Sequence, residues 1–315
     1  MSDLLAAALK GQRRAIARLI SILENDEPGA REVMACLYPR TGQARVIGIT
    51  GSPGSGKSTL VFQMAREYRQ RDTTVGIVAV DPSSPFSGGA LLGDRIRMQA
   101  LSGDPGIFLR SMASRGSLGG LAQATSKVIK ALDACGYQRI LVETVGAGQT
   151  EVDVARMAHT TVVIQVPGLG DDIQALKAGI LEIADVLAVN KADLAGAEQT
   201  LATLRAMLGL HSGSGSAPAW QPPLVKTIAT SGEGIAELVD AVERHMAYLQ
   251  ESGQMQVRER ARITRELEEI LCAEMFQRAL AHIGEERYRQ VIERLVTREV
   301  DPYEAVEELL RAFGL

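Results

Sequence analysis

The sequence has few aromatic residues and few cysteines, and both shortages exclude classes of protein. Phe, Trp and Tyr make up only 4% of the 315 residues. The three cysteines, Cys36, Cys135 and Cys272, are odd in number and far apart, with no Cys-x-x-Cys pair and no histidine at co-ligand spacing. These features exclude a disulfide scaffold and a cysteine-based zinc site. We expect reduced thiols in a cytoplasmic protein.

Long apolar runs and an excess of charge of one sign are also missing. No run of 18 apolar residues occurs, and the first residues, MSDLLAAALKGQRR, are too polar for a secretory signal or a membrane span. The formal net charge is −4, from 34 Lys and Arg against 38 Asp and Glu, which gives no bulk attraction to a polyanion. We therefore expect neither nucleic acid nor a membrane as a partner.

Short β-branched runs alternate with helical stretches from residue 45 to residue 249, which indicates an α/β fold with a mostly parallel sheet and helices on both faces. The predicted strands are Val46–Thr50, Val75–Val80, Ile107–Arg110, Ile140–Glu143, Thr161–Val166, Val186–Asn190 and Leu224–Ile228. We expect an N-terminal helical extension over residues 1–42 and the sheet domain over 43–251. The Gly- and Ser-rich stretch 211–218 is predicted to be a surface insertion in that domain.

Residues 252–315 are predicted to form a helical appendage. Its apolar residues recur at steps of three and four, as helical spacing requires: Ile263, Leu267, Ile270, Leu271, Met275 and Ala279. Such a stripe outside the sheet domain either folds back onto that domain or pairs with a second copy of the chain. We favour the second interpretation, a C-terminal dimerisation segment.

A phosphate-binding loop directly follows the first predicted strand. Its residues are Gly51, Ser52, Pro53, Gly54, Ser55, Gly56, Lys57, Ser58 and Thr59, which match the pattern GxxxxGK[ST] between a strand and a helix. The glycines allow successive backbone N–H groups to converge on phosphate oxygens at a helix N-terminus. Lys57 would bridge the β- and γ-phosphates, and the Ser58 hydroxyl would bind Mg²⁺. The pattern predicts a P-loop NTPase.

A second motif predicts the base. Asn190, Lys191 and Asp193 form an NKxD turn at the end of an apolar predicted strand. The Asp193 carboxylate can accept two hydrogen bonds, from N1–H and N2–H₂ of guanine, and adenine offers no such pair of donors. The motif therefore favours GTP and GDP over ATP. The next predicted strand ends at Ile228, Ala229 and Thr230, which are placed either to offer backbone groups to the guanine or simply to form a strand-to-helix turn.

Acidic residues at other strand ends are candidate metal ligands. Glu143 ends an apolar strand and would hold Mg²⁺ or its water, while the N–H of Gly146 would contact the γ-phosphate. Asp81 ends another strand. Asp94 follows it in a long loop that is a candidate switch segment, although helix capping would also explain an aspartate there.

The residue that positions the hydrolytic water is not obvious. GTPases commonly carry a glutamine just after the γ-phosphate-sensing glycine, but Ala147 occupies that position. Gln149 is a candidate, and a polar residue at the start of a helix is an equal alternative. The predicted catalytic set is thus Lys57, Asp94, Glu143 and Gln149. We expect slow intrinsic GTP hydrolysis that a partner protein stimulates.

Several long segments resemble one family specifically. Over most of its length the chain resembles the MeaB/ArgK/MMAA family of P-loop GTPases. The segments that carry the resemblance are GSPGSGKST, VDPSSPFSGGALLGDRIRM, RSMASRGSLGG, ILVETVGAGQTEVDV and VPGLGDDIQALKAGILEIAD with the following VNKAD. The resemblance implies a homodimeric GTPase chaperone that docks on an adenosylcobalamin-dependent acyl-CoA mutase, typically methylmalonyl-CoA mutase. It also implies that the chaperone gates cofactor loading and protects or reactivates the mutase.

The resemblance assigns nucleotide contacts to residues 51–59, 193 and 228–230, and Mg²⁺ and switch roles to Asp81, Asp94 and Glu143. It further implies a mobile loop over residues 168–174 with Lys177. The chain has no DxHxxG cobalamin-ligand motif, so we expect it to act on a separate mutase polypeptide. The alternative hypothesis is a nucleotide-dependent kinase of a small molecule or a transport protein, which the guanine-reading motif disfavours.

Overall fold

The main element of the fold is a sheet of seven strands. The structure, a computed structural model, describes residues 1–81, 103–113, 120–144, 150–168, 180–211 and 220–313. The strands are β1 (Arg45–Gly51), β2 (Val75–Asp81), β3 (Ile107–Ala113), β4 (Arg139–Thr144), β5 (Thr160–Gln165), β6 (Val186–Asn190) and β7 (Leu224–Thr227). Their order is β3-β2-β4-β1-β5-β6-β7, and each neighbouring pair is parallel. All seven predicted strands are present.

Helices precede, separate and follow the strands. They are α1 (Ser2–Leu9), α2 (Arg13–Glu24), α3 (Ala30–Leu37), α4 (Lys57–Gln70), α5 (Gly120–Ala134), α6 (Thr150–Met157), α7 (Ala197–His211), α8 (Ile235–Glu251), α9 (Gln254–Ile283), α10 (Glu285–Val296) and α11 (Pro302–Phe313). Short 3₁₀ helices lie at Tyr38–Arg40 and Ile180–Ile183. Among the described residues, none of the helices is long and apolar enough to cross a lipid bilayer.

The strands are buried on both faces because helices cover both faces, as continuous apolar runs predict. On one face, strand residues such as Val46 and Val142 pack with apolar residues of α2, α3 and α5. On the other face, Ile47 and Leu141 pack with residues of α4 and α8. Neighbouring residues of one strand therefore belong to different cores. This is expected because successive side chains of a strand point to opposite faces of the sheet. The N-terminal helices complete one of these cores.

A buried polar cluster lies at the beginning of β6, at the opposite end of that strand from Asn190. The Asp185 carboxylate accepts hydrogen bonds from both terminal nitrogens of Arg258, at 2.8 and 2.9 Å, and from the N–H of Thr161 at 2.8 Å. His245 Nε2 lies 3.2 Å from Asp185 Oδ1, and His245 Nδ1 lies 2.8 Å from the Thr160 hydroxyl oxygen. The cluster thereby fixes Arg258, near the start of α9, to the sheet.

The chain divides into two compact units, Met1–Glu259 and Arg260–Leu315. In the second unit, α10 and α11 form a small core around Val291, Val300 and Ala305. An ion pair of 2.7 Å between Arg294 and Glu308 joins the same two helices. The predicted apolar stripe lies on α9, where Leu267 is 64% exposed.

Candidate functional site

The phosphate loop connects β1 to α4, and two of its glycines are required by close neighbours. Gly51 has φ +145°, and a Cβ there would lie 2.3 Å from the carbonyl oxygen of Ile164 on β5. Gly56, which precedes α4, has φ +89°, and a Cβ there would lie 2.6 Å from Nδ2 of Asn190. Only glycine combines such dihedral angles with such close approaches. The loop is therefore pressed against β5 and β6.

Lys57 begins α4 and is 6% exposed. Its ammonium group donates hydrogen bonds to two carbonyl oxygens of the loop itself, those of Gly51 at 2.6 Å and Ser52 at 3.0 Å. The amine is thus folded over the loop whose N–H groups are expected to receive phosphate. This is the position from which a lysine can reach the oxygen atoms of a bound polyphosphate.

The next residue, Ser58, contacts the acid that was predicted as its metal-binding companion. Its hydroxyl donates a 2.5 Å hydrogen bond to Oε1 of Glu143, which lies on β4 and is 1% exposed. Carboxylate and hydroxyl oxygens are ligands that Mg²⁺ accepts, and a buried carboxylate is stabilised by a nearby cation. The donor set therefore fits a magnesium ion, with Ser58 and Glu143 as the residues that could hold it.

The NKxD turn at the end of β6 is joined to the phosphate loop by two side chains. Nδ2 of Asn190 donates a hydrogen bond to the Ser55 carbonyl oxygen at 2.8 Å, and Nζ of Lys191 donates one to the Gly54 carbonyl oxygen at 2.9 Å. Oδ1 of Asn190 accepts hydrogen bonds from the Thr227 hydroxyl at 3.2 Å and the Ala229 N–H at 3.1 Å. Asn190 therefore links the phosphate loop to the end of β7.

These elements line a cavity of about 710 Å³. Its lining residues are Pro53, Gly54, Gly56, Lys57, Ser58, Thr59, Glu143, Asn190, Lys191, Asp193, Leu194, Ile228, Ala229 and Thr230. The cavity brings together the phosphate loop, the acid of β4, the NKxD turn and the loop after β7. The Asp193 side chain is exposed, in the position predicted to bind the guanine base. The arrangement matches a nucleotide with phosphates at one end and a base at the other.

Some predicted site residues lie outside the described part of the chain. Asp94, Gly146 and Gln149 belong to this group, as do Ala147 and Lys177. Asp81 is the last residue of β2, and the strand register pairs the residue before it, Val80, with Thr144 of β4. The backbone of Asp81 is thus at the same end of the sheet as Glu143.

Two residues around the cavity were not predicted from the sequence. Leu194 lines it directly beside Asp193 and is 48% exposed. Gln63, on α4, donates a 3.0 Å hydrogen bond from Nε2 to the Ala229 carbonyl oxygen. Leu194 directly follows the NKxD motif, and this position in the sequence could have predicted that it lines the cavity. Gln63 belongs to no sequence motif, and its contact with Ala229 depends on how α4 packs beside the loop after β7.

Comparisons with known proteins agree on the family. Residues 16–283 match the family model described as Methylmalonyl Co-A mutase-associated GTPase MeaB. A putative GTPase of Pyrococcus abyssi is 48% identical over 311 residues, covering 99% of this chain and 96% of that protein. The mouse protein named methylmalonic aciduria type A homolog, mitochondrial, is 30% identical over 323 residues, covering 97% of this chain and 77% of that protein.

A solved structure described as a LAO/AO transport system kinase is similar along the full length. It covers 100% of this chain and 97% of its own, with a TM-score of 0.73 and 25% identity. The similarity to this structure shows that the chain resembles known proteins in its fold as well as in its sequence. With the phosphate loop and the NKxD turn lining one cavity, the chain belongs to the MeaB family of P-loop GTPases.

Proposed function

We propose that the protein is a GTP-dependent metallochaperone for an adenosylcobalamin-dependent acyl-CoA mutase, methylmalonyl-CoA mutase or a close relative. In this role it gates loading of the cofactor and protects or reactivates the mutase. The observation that carries the proposal is the match to the mutase-associated family over residues 16–283, which include every residue that lines the nucleotide cavity. The name of the mouse relative supports the same metabolic context.

The cavity residues suggest how the nucleotide binds. Backbone N–H groups of residues 54–58 would receive phosphate oxygens at the N-terminus of α4. The Lys57 amine would exchange the carbonyl oxygens of Gly51 and Ser52 for phosphate oxygens, and its charge would stabilise the negative charge that develops as the bond to the γ-phosphate breaks. Asp193 would accept hydrogen bonds from guanine.

Magnesium is proposed to bind at Ser58 and Glu143, with Asp81 and Asp94 as further candidate acids. The backbone of Asp81 lies at the same end of the sheet as Glu143, and Asp94 is outside the described residues. When bound, Mg²⁺ neutralises charge on the phosphate oxygens and orients them. Ser58 and Glu143 already hold each other at 2.5 Å, so the hydroxyl and the carboxylate are oriented together. Glu143 is 1% exposed, so its carboxylate has little contact with bulk water.

Hydrolysis by the isolated chain is proposed to be slow. Ala147 cannot orient a water molecule, and Gln149 is the candidate for that role. A partner that completes the site with a group able to orient the water would raise turnover. If the mutase stimulates GTP hydrolysis, the hydrolysis step would determine when the cofactor is loaded.

The partner experiment measures both association and turnover. The full chain is mixed with purified methylmalonyl-CoA mutase, complex formation is followed by gel filtration, and phosphate release from GTP is measured with and without the mutase. We expect a complex and a higher turnover number. The Lys57→Ala variant is the control for contaminating GTPases and should show no stimulated hydrolysis. Unchanged turnover and no complex with any acyl-CoA mutase would contradict the chaperone role.

A competition assay with labelled GTP tests the kinase alternative. A kinase would transfer the γ-phosphate to an acceptor other than water, and it would bind ATP at least as well as GTP. Displacement of labelled GTP by an equal concentration of ATP would therefore favour a kinase. We expect GTP to be displaced by GDP and not by ATP, because the NKxD aspartate pairs with donors that adenine lacks.

We also propose that the protein is a homodimer formed through residues 252–315. The support comes from helices α9 to α11, where large apolar side chains are exposed. Leu267, Leu271 and Phe276 on α9 are 64%, 53% and 52% exposed. Exposed apolar residues grouped in this way are typical of a surface that a partner covers. A second copy of the same helix would bury them by knobs-into-holes packing.

A further inference from the structure

The helix that begins at the phosphate loop also holds the loop on the guanine side of the cavity. Gln63 lies six residues after Lys57 on α4, and its Nε2 donates a hydrogen bond of 3.0 Å to the Ala229 carbonyl oxygen. Ala229 is 4% exposed and lines the cavity between Ile228 and Thr230. A glutamine of α4 thus contacts the backbone of the base-side loop directly.

The peptide groups on both sides of Ala229 are fixed by side chains from different elements. Its N–H donates to Oδ1 of Asn190 on β6, and its carbonyl oxygen accepts from Gln63 on α4. The methyl side chain of Ala229 offers no hydrogen bond of its own. Backbone hydrogen bonds hold Ile228 to Glu233 and Gly232, while the peptide groups of Ala229 are held by Asn190 and Gln63.

Gln63 connects the two halves of the nucleotide site through one rigid helix. Lys57 and Ser58 stand at the beginning of α4, and six residues of helix span about 9 Å. The hydrogen bond at Gln63 therefore ties the backbone of residues 228–230 to the helix that carries the phosphate-binding residues. A loop that is held in place before the ligand arrives does not have to be ordered on binding, which favours affinity.

We propose that Gln63 is a positioning residue for guanine recognition. It holds the base-side loop at the correct distance from the phosphate loop, so its loss speeds nucleotide release and weakens the preference for guanine over adenine. The chemical step at the γ-phosphate is left unchanged. The proposal rests on guanine nucleotide binding in this cavity and is independent of the mutase partner.

The test compares two variants of Gln63 with a control on the same helix. Gln63→Leu removes the donor at similar size, and Gln63→Glu keeps the shape but places a carboxylate against the carbonyl oxygen. Gln70→Leu makes the same chemical change at the exposed last residue of α4. The measurements are the dissociation rate of a fluorescent GDP, the preference for GDP over ADP by competition, and KM and kcat for GTP.

We expect both Gln63 variants to release GDP about ten-fold faster, the effect of one lost hydrogen bond. Their preference for GDP should fall, KM should rise and kcat should stay unchanged, whereas Gln70→Leu should match the wild type. Any of three results would overturn the proposal. The first is a wild-type release rate in both Gln63 variants, and the second is a fall in kcat with KM unchanged. The third is failure of both Gln63 variants to fold while Gln70→Leu folds. A wild-type chain that does not bind GDP would instead overturn guanine nucleotide binding itself.

Discussion

Nδ2 of Asn190 donates a 2.8 Å hydrogen bond to the carbonyl oxygen of Ser55, a residue 135 positions earlier in the chain. The contact joins the motif that reads the base to the loop that binds the phosphates. Asn190 is 2% exposed, and its Oδ1 accepts hydrogen bonds from the end of β7. The polar groups of the site are therefore held in place by one another.

Asn190→Ala should destabilise the chain in the absence of nucleotide. The change leaves the Ser55 carbonyl oxygen and the Ala229 N–H without the partner that Asn190 provides, and unmatched buried polar groups are costly. We expect the free energy of unfolding to fall by about 2–4 kcal/mol in urea titrations. Asn25→Ala, at an exposed position after α2, is the control. A loss of less than about 1 kcal/mol for Asn190→Ala would show that the link is unimportant for stability.

Asp193→Asn should change the base that the protein prefers. The amide presents a donor where the carboxylate presents only acceptors, so it pairs with a carbonyl oxygen in place of the guanine amino group. Xanthine carries such an oxygen. We expect affinity for GDP to fall by about a hundred-fold and affinity for XDP to rise, measured by competition with a fluorescent nucleotide. Retained GDP affinity in this variant would remove Asp193 from the base-binding site.

Charges placed on the exposed stripe of α9 should prevent dimer formation. In Leu267→Glu/Leu271→Glu, two carboxylates replace apolar side chains that a second copy is proposed to cover, and burying them in an interface is unfavourable. We expect light scattering to show a dimer for the wild type and a monomer for the variant. Ala261→Glu adds a charge at another exposed position of α9 and should remain dimeric. A variant of unchanged mass would place the dimer contact elsewhere.

Stability should fall with acid in a way that depends on His245. Burial lowers the pKa of His245 from 6.5 to about 4, and nearby Asp185 opposes this effect while Arg258 adds to it. The unfolded chain therefore takes up the proton near pH 6.5, and the folded chain does so only near pH 4. This difference favours unfolding by up to roughly 3 kcal/mol as the pH falls through that window.

His245→Gln cannot take up this proton, so its free energy of unfolding should fall less between pH 7 and pH 4. Urea titrations at several pH values measure the slope. His282→Gln changes an exposed histidine and should keep the slope of the wild type. Equal slopes in the wild type and His245→Gln would show that His245 does not carry the acid sensitivity.

The sequence was sufficient to predict the strands and the principal motifs of the site. Strands such as β6 are uninterrupted β-branched and apolar runs, and in a parallel sheet such runs are buried on both faces. The phosphate loop and the NKxD turn are local motifs at strand ends. Because parallel strands end at one edge of the sheet, the two motifs are predicted to meet without knowledge of the helix packing.

Contacts between side chains far apart in the sequence could not be predicted in this way. Gln63 has the spacing of an ordinary polar residue on a helix, and only the packing of α4 beside the end of β7 brings it to Ala229. The same holds for His245, which reaches Asp185 across α8 and β6. Neither pairing has a sequence period or motif, because each depends on the relative placement of two elements.

The strand order also determines when the site can form during synthesis of the chain. The phosphate loop follows β1 at the middle of the sheet, but Asn190 at the end of β6 holds it, and Asn190 in turn accepts a hydrogen bond from the loop after β7. From Lys57 to Ile228 the ribosome must add 171 residues (228 − 57), which takes roughly 10–30 s at usual rates. The nascent chain thus exposes a glycine-rich loop without its supports throughout that interval. Nucleotide capture can begin only when translation of the GTPase region is nearly finished.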